Sequence, residues 1–424
     1  MLKKITYKKK LSFFEWLKYL KFFKRKSYFD LKNVINIAKK LGLLHCFSFS
    51  FVVAGTNGKG SVCYILEKIL LNSNYKVGLY TSPHLISHLE RIRINGNFLN
   101  EKWHILAFEK IEMIRKNNKI SYFDFITLSA LFLFKYFKVD VIILEAGLGG
   151  RLDATNIIPN DISIITNIDF DHKEILGYTR FKIGYEKAGI FKKNKIAIVG
   201  EEKDIPNSIN LLAKKRNTLL KKVNFEWFYQ KREKSWNFIS EKWKFYNLKY
   251  SNISLINISI AFSALSESNL NINIDFLKKK LFPINIPGRF SIIQKKPCVI
   301  LDVAHNSHAA LCLSKKIRKS LKKYSKIYAV VGILEKKDII GIISNFLGIV
   351  NKWNFSLLNQ NKETFKTCIN SILSIQDYEI FDTTYDSWKK AYYLASKKDL
   401  ILVFGSFITV SEVIKILNIN IQKI

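Results

Sequence analysis

The stretch Phe51-Val52-Val53-Ala54-Gly55-Thr56-Asn57-Gly58-Lys59-Gly60-Ser61 decides how the rest of the chain is read. An apolar, β-branched run stops at a glycine, and a helix-compatible stretch begins near Ser61. In that order of strand, turn and helix, glycines let successive backbone N–H groups face an anion, and the positive end of the helix dipole adds to the field. Lys59 is then placed to reach the terminal phosphates of a nucleotide. The spacing is irregular, because the usual pattern has Lys followed at once by Ser or Thr, whereas Gly60 intervenes here and the Ser61 hydroxyl arrives one position late. Thr56, Asn57, Gly58, Lys59, Gly60 and Ser61 are the candidate nucleotide contacts. An ordinary strand-to-helix glycine turn is the other reading of the same residues.

Outward from this turn, apolar runs and helical periodicity alternate. A strand over 49–54, a helix over 61–72 and a strand over 77–80 are followed by a helix over 125–137 and strands over 139–145 and 162–167. Alternating βα units predict an α/β fold with a mostly parallel sheet covered on both faces. Acting residues in such sheets gather at the carboxyl edge, where Gly55, Ser82, Glu145 and Asp169 would lie. Between 225 and 251 aromatic and polar residues alternate, which predicts a small antiparallel patch, and a helix holding Asn257 and Ala261 follows. Pro283 and Ile286-Pro287-Gly288-Arg289 then break the rhythm as a hinge, and a fresh βα series starts at Cys298. The expected organisation is a large phosphate-loop domain over 1–286 and a smaller α/β domain over 287–424.

Composition narrows the function class. The 424 residues are 48% apolar, with 69 Lys and Arg against 34 Asp and Glu, a formal net charge of +35. Such an excess suits nucleic acid or an anionic membrane surface. Its distribution argues otherwise: the lysines spread over most helices and loops, with short runs at Lys8 to Lys10 and Lys278 to Lys280, and no stripe interleaves aromatics with arginines. Lys, Ile, Asn and Phe are all abundant, as codons biased toward A and T would write into tolerant positions. No nucleic-acid partner and no membrane partner are therefore expected. The five cysteines are widely spaced and form no Cys-x-x-Cys pair, which fits reduced thiols in a cytoplasmic protein. Glu15 and several lysines interrupt the N-terminal apolar stretch, so it does not read as a signal peptide. The most apolar helical stretch, 126–134, is far short of the roughly 20 residues that span a bilayer.

Five further segments carry chemistry: Thr81-Ser82-Pro83-His84-Leu85, the run from Glu145-Ala146-Gly147-Leu148-Gly149-Gly150 through Arg151-Leu152-Asp153-Ala154-Thr155-Asn156, Asp171-His172, Glu186-Lys187-Ala188-Gly189-Ile190, and Asp302-Val303-Ala304-His305-Asn306. Glu145 ends a buried strand, where a carboxylate is costly unless a cation compensates it. Mg²⁺ takes hard oxygen ligands, keeps water and bridges to phosphate, so Glu145 with the Ser82 hydroxyl is chemically reasonable and the imidazole of His172 is the unusual member. The order and spacing of these segments, with Pro287-Gly288-Arg289-Phe290 and Gly405-Ser406-Phe407, resemble the folylpolyglutamate synthase and dihydrofolate synthase family, relatives of the Mur ligases. The resemblance runs from about Leu11 to Leu417.

That resemblance implies a Mur-ligase-like central domain followed by a Rossmann-like domain, and an ATP-dependent ligase that adds L-glutamate to dihydropteroate, to folates, or to both. It implies Ser82, Glu145, His172 and Lys187 as Mg²⁺ ligands, with Lys187 carbamylated by CO₂. Carbamylation needs the neutral amine, so the site must lower the lysine's pKa; a Lys187 paired with Glu186 or with phosphate is the other reading. Asn257, Arg289, Asp302 and His305 are implied for ATP, Ser121, Tyr122, Phe123, Asp124, Leu152, Asp153 and Ala154 for the pterin substrate, and Lys59, His172 and Lys187 for catalysis. The expected partners are small molecules (ATP, L-glutamate, dihydropteroate or folate), and the expected state is a monomer. Two departures stand out: the family's Asp-Leu-Gly-Leu-Glu-Arg segment reads Asp30-Leu31-Lys32-Asn33-Val34-Ile35 here, and Ser307 replaces a proline after His305-Asn306. Two other functions stay open, a Mur-type ligase with a different carboxylate acceptor and a basic, non-catalytic nucleic-acid-binding relative.

Overall fold

A computed structural model describes residues 11–23 and 31–419. Lys8 to Lys10 and Asp30 lie outside the described residues. The chain divides into two compact units, one taking it to Ser82, His88–Lys249 and Leu255–Leu281, the other taking Pro83–Ser87, Tyr250–Ser254 and the chain from Phe282 onward.

The first unit is built on an eight-stranded sheet. Its strands are β1 (Phe49–Ala54), β2 (Val77–Tyr80), β3 (Ile92–Ile94), β4 (Asn97–Phe98), β5 (Val141–Glu145), β6 (Ile162–Ile165), β7 (Ile196–Val199) and β8 (Leu219–Lys222). They lie in the order β4-β3-β2-β5-β1-β6-β7-β8, with β3 and β4 antiparallel at one end and the other six parallel. β5 is buried along its whole length, as a parallel strand covered on both faces must be, which is why it reads as an unbroken apolar run. From β1 the chain moves to β2 on one flank and later returns through β6 on the other. This reversal opens a crevice at the carboxyl edge of β1.

Local signals explain where the helices start. The helix Lys59–Leu71 begins two residues earlier than the apolar pattern suggests, because Gly58 adopts a left-handed N-cap conformation (φ +84°) that only the lack of a side chain makes easy. The helix Tyr122–Tyr136 starts three residues early for another reason: Ser121 and Asp124 form a capping box, each side chain accepting from the other's backbone N–H. β6 ends at Ile165, so Thr166 and Asn167 leave the ladder and become available to the loop after β1.

The expected aromatic patch is a three-stranded antiparallel sheet of β9 (Trp227–Lys231), β10 (Trp236–Ser240) and β11 (Lys244–Leu248). Trp236, Phe238 and Phe245 set their rings 6.1, 5.4 and 5.6 Å from that of Phe262, on the helix Leu255–Ser266. The second unit holds six strands, β12 (Ser291–Lys295), β13 (Cys298–Leu301), β14 (Ile327–Val331), β15 (Lys352–Ser356), β16 (Tyr378–Phe381) and β17 (Leu400–Phe404), in the order β12-β13-β17-β14-β15-β16. Only β12 runs antiparallel to its neighbour. Among the described residues no helix is long and apolar enough to cross a membrane.

Glu67, on the helix Lys59–Leu71, is 1% exposed and pairs with Arg93 of β3 (Nη2 to Oε2, 2.9 Å). Burial pushes its carboxyl from 4.5 up to about 7, against the pull of Arg93. A carboxyl raised in the folded state stabilises the fold fully only below its unfolded value, and that contribution is lost as pH climbs to the folded value. Glu67→Gln removes the ionisation. Relative to wild type, the variant should gain up to about 3 kcal/mol in urea denaturation between about pH 5 and about pH 8; a difference that does not change with pH would contradict a carboxyl raised by burial.

Candidate active site

The loop after β1 is held from a neighbouring strand end. Gly55 (φ +148°) lies so close to Thr166 that a Cβ there would run into its side chain, and a Cβ at Gly58 would sit 2.5 Å from Asn257 Oδ1. Thr56 N–H donates to Asn167 O (3.0 Å) and Asn57 N–H to Asn167 Oδ1 (2.8 Å). The Thr56 hydroxyl donates to Asp169 O (3.0 Å), and the Thr166 hydroxyl to Asn57 O (2.6 Å). Lys59 folds back, its Nζ donating to Gly55 O (3.1 Å) and Thr56 O (3.2 Å), and so neutralises the carbonyl side of the turn. Ser61, one turn into the helix, is buried. Thr166 and Asn167 are essential to this loop and were not singled out in the sequence. The available signal was a polar Thr-Asn-x-Asp run directly after a buried strand.

Beside the loop stands Glu145, placed by the register that pairs it with Val53 and buried at 5% exposure. Its Oε2 accepts from Ser82 N–H (3.0 Å). A Cβ at Gly60 would lie 3.4 Å from the same oxygen, so the intervening glycine lets the first turn of the helix approach the carboxylate. Lys187, near the end of the helix Arg180–Ala188, is 2% exposed. Burial first, and then the charge of Lys59, push its amine well below the ordinary lysine range, with Asp171 opposing. The suggested Lys187–Glu186 pair is not formed: Glu186 is held by Arg151, with Nη2 to Oε1 at 2.9 Å and Nε to both carboxylate oxygens at 3.1 and 3.2 Å. His172 adopts a left-handed backbone (φ +50°), its side chain is 47% exposed, and its Nε2 lies 3.9 Å from Asp171 Oδ1. A non-glycine residue in that conformation is uncommon and concentrates at functional sites.

The donors suit a hard divalent cation. A buried carboxylate, an adjoining serine and a lysine held toward neutrality offer oxygen ligands or can be converted to one. Among the described residues no three His, Cys, Asp or Glu side chains cluster as a metal site. An ion bound here would draw the rest of its shell from hydroxyl, imidazole, water or phosphate, as Mg²⁺ readily does.

The residues expected to touch the pterin divide by role. Ser121 and Asp124 hold the helix start, and Asp153 is a buried loop anchor that accepts from the N–H groups of Gly147 (2.9 Å) and Leu148 (3.0 Å) and from Thr155 N (3.0 Å) and Oγ1 (2.7 Å). Burial raises the Asp153 carboxyl, and these hydrogen bonds oppose the rise. Ala154 is wholly buried, and Leu152 is half-buried. Phe123 packs 5.8 Å from the Tyr80 ring and covers Gly147, where a Cβ would lie 2.6 Å from its edge. Tyr122 faces the Arg91 guanidinium at 5.7 Å. Segments 121–124 and 152–154 thus meet across Gly147.

In the second unit Asp302 follows β13 and accepts from the N–H groups of Phe290 and Ala304, both at 2.9 Å. Burial raises its carboxyl, and Arg289 and Lys316 pull it back. Phe407, not named as a site residue from the sequence, is shared by Arg289 (guanidinium 5.4 Å from the ring) and His305 (rings 5.8 Å apart). His305 Nδ1 lies 2.9 Å from Val303 O. Asn306 caps the helix Ser307–Arg318 by accepting from Ala309 N–H (2.9 Å), which is why Ser307 serves without the family's proline.

Gly58→Ala tests the loop. A left-handed backbone costs a residue with a Cβ about 1–2 kcal/mol before the collision with Asn257 is counted. Calorimetric titration with an adenine nucleotide should show affinity reduced by about tenfold or more; unchanged affinity would remove Gly58 and Asn257 from the nucleotide site.

Comparisons with known proteins give the family. The family model of the Mur ligase middle domain matches residues 53–274, and that of the Mur ligase glutamate ligase domain matches 288–407. A dihydrofolate synthase/folylpolyglutamate synthase of Buchnera aphidicola (subspecies Schizaphis graminum) is 48% identical over 411 residues, 97% of this chain and 98% of the relative. E. coli FolC in complex with DHPP and ADP is similar at a TM-score of 0.91 and 38% identity, over 96% of this chain and 98% of that one. A bifunctional folylpolyglutamate synthase/dihydrofolate synthase with Mn, AMPPNP and L-glutamate bound is similar at 0.90 and 38%, over the same shares of the two chains. With both domains matched and a relative 48% identical over 97% of its length, the chain belongs to the dihydrofolate synthase/folylpolyglutamate synthase family, within the Mur ligases.

Proposed function

We propose that this protein is an ATP-dependent ligase that joins L-glutamate to dihydropteroate, giving dihydrofolate, and to folates, extending their glutamate tails. The observation that carries the reading is the Lys59 loop standing in register beside Glu145, in a chain matched almost end to end by relatives of that name. The ligands of the related structures, ADP, AMPPNP, DHPP and L-glutamate, support the same substrate set.

The loop's backbone N–H groups and the helix N-terminus receive the nucleotide phosphates. On nucleotide binding Lys59 exchanges its two loop carbonyls for phosphate oxygens. The acceptor's carboxylate attacks the γ-phosphorus, ADP leaves, and an acyl phosphate results; the amine of L-glutamate then displaces phosphate to form the amide. Positive charge from Lys59 spreads the charge that develops on the transferred group. A divalent ion, when bound, supplies further charge neutralisation to the phosphates, held by Glu145, Ser82 and His172. Lys187 joins that ligand set as a carbamate: burial and Lys59 favour its neutral amine, the form that adds CO₂. His172 or a nearby carboxylate takes the amine proton. Asn257, Arg289, Asp302 and His305 bind the nucleotide, and Tyr122 and Phe123 stack on the flat ring of the acceptor.

Purified protein with ATP, Mg²⁺ and labelled L-glutamate should incorporate label into dihydropteroate and into tetrahydrofolate, each with matching ADP release. Label in one acceptor alone restricts the activity to that acceptor, and transfer only to UDP-linked acceptors would assign a Mur-type activity instead. Lys59→Ala should lower kcat/KM for ATP by about a hundredfold or more. For Lys187, native mass spectrometry should find an increment of one CO₂ that acid or CO₂ depletion removes, with activity falling in parallel; an unmodified Lys187 in fully active enzyme would sink the carbamate.

A further inference from the structure

Asn156 sits at the centre of a half-buried network to which the reaction as described assigns no part. Its Nδ2 donates to Arg151 O and to Gly189 O, both at 3.0 Å. Its Oδ1 accepts from Lys192 Nζ (2.8 Å), which also donates to Asn156 O (2.9 Å). Every hydrogen-bonding group of the amide is engaged, and the role needs two donors and an acceptor on one short side chain, which asparagine supplies.

This network stitches segment 150–156 to the end of the helix that carries Lys187. Arg151 N–H donates to Glu186 O (2.7 Å), and its guanidinium holds the Glu186 carboxylate. A Cβ at Gly150 would lie 2.9 Å from Lys187 O, and one at Gly189 would run into Arg151. Arg216 Nη1 donates to Gly189 O (2.9 Å) and to Phe191 O, while Ser163 Oγ donates to Ile190 O (2.9 Å). The backbone on both sides of Lys187 is therefore fixed from outside its own helix. Among the described residues no hydrogen bond or ion pair holds Lys187 Nζ, so its place depends on that backbone. Lys192, whose amine burial and then Arg216 push down to about 8, is satisfied by Asn156 alone among the described residues.

We propose that Asn156 is a positioning residue for Lys187: by donating to Arg151 O and Gly189 O together, it locks the helix end so that the Lys187 amine stays in its buried place beside Lys59 and Asp171. The proposal rests on the reading of Lys187 as an acting group. Asp in place of Asn discriminates well, because it keeps the shape and strengthens the attraction to Lys192 but sets a carboxylate oxygen against two carbonyl oxygens. Lys192→Met does the reverse, removing the ammonium and leaving both donors.

The test compares wild type, Asn156→Asp and Lys192→Met by steady-state kinetics, by reductive methylation of Lys187 read from its peptide by mass spectrometry without metal or nucleotide, and by circular dichroism. Asn156→Asp is expected to lower kcat by about a hundredfold with KM for ATP within about threefold, and to raise methylation of Lys187 by about tenfold. Lys192→Met should stay within about threefold of wild type in kcat and methylation. Wild-type kcat and protection in folded Asn156→Asp would overturn the proposal, as would an equal loss in Lys192→Met, which would make Asn156 a partner of the buried ammonium only. Should Asn156→Asp fail to fold, Asn156→Ser, which keeps one donor, is expected to show an intermediate rise in methylation, and full protection in it would overturn the proposal. Failure of the Lys187 reading shows separately, as fully active wild type with no CO₂ on that residue, while the methylation contrast still decides whether Asn156 positions it.

Discussion

The register of β1 between β5 and β6 is the constraint on which the site depends. Pairing Val53 with Glu145 on one side and Ala54 with Ile165 on the other brings three strand ends to one edge. There the backbone must turn, and its polar groups need partners that a continuing strand would have provided. Asn167 and Thr166 supply them from β6, Glu145 meets the Ser82 N–H beside β5, and Lys59 caps the carbonyls of the turn itself. A shift of one residue in any of these strands would send each side chain to the opposite face. The phosphate loop is therefore as much a property of the sheet as of its own glycines.

Charge at this edge is arranged by burial. Glu145 and Lys187 are buried beside the half-buried Lys59, and burial drives the Lys187 amine toward neutrality. A cation beside a cation is an expensive arrangement unless one gives up its proton. That cost favours the neutral amine of Lys187, and the Arg151–Glu186 pair removes the nearest acid in the chain from competition. Other carboxylates also hold backbone: Asp153 ties a glycine loop together, and Asp302 ties the turn after β13. Both carry their burial because backbone N–H groups satisfy them.

Legibility follows sequence separation. The turn at Gly55 to Ser61, the helix start at Ser121 and the aromatic alternation around Trp236 depend on residues a few positions apart, so residue type and order suffice to recognise them. The partners of the loop lie about 110 residues away, as Asn57 and Asn167 do, and no local pattern pairs them. One pairing illustrates this. Glu186 answers to Arg151, 35 positions earlier, instead of to its neighbour Lys187.

What the chain's residues determined by themselves is the class of machine: glycine where the backbone must turn left-handed, lysine where phosphate charge must be met, and alternating apolar periods that allow little but a covered parallel sheet. Those properties belong to single residues and to short spacings. Tertiary structure alone decided which acid faces which base, which lysine is pushed toward neutrality, and that Asn156 bonds to Gly189, 33 positions on, because burial and hydrogen-bond geometry arise only when distant segments share one interior.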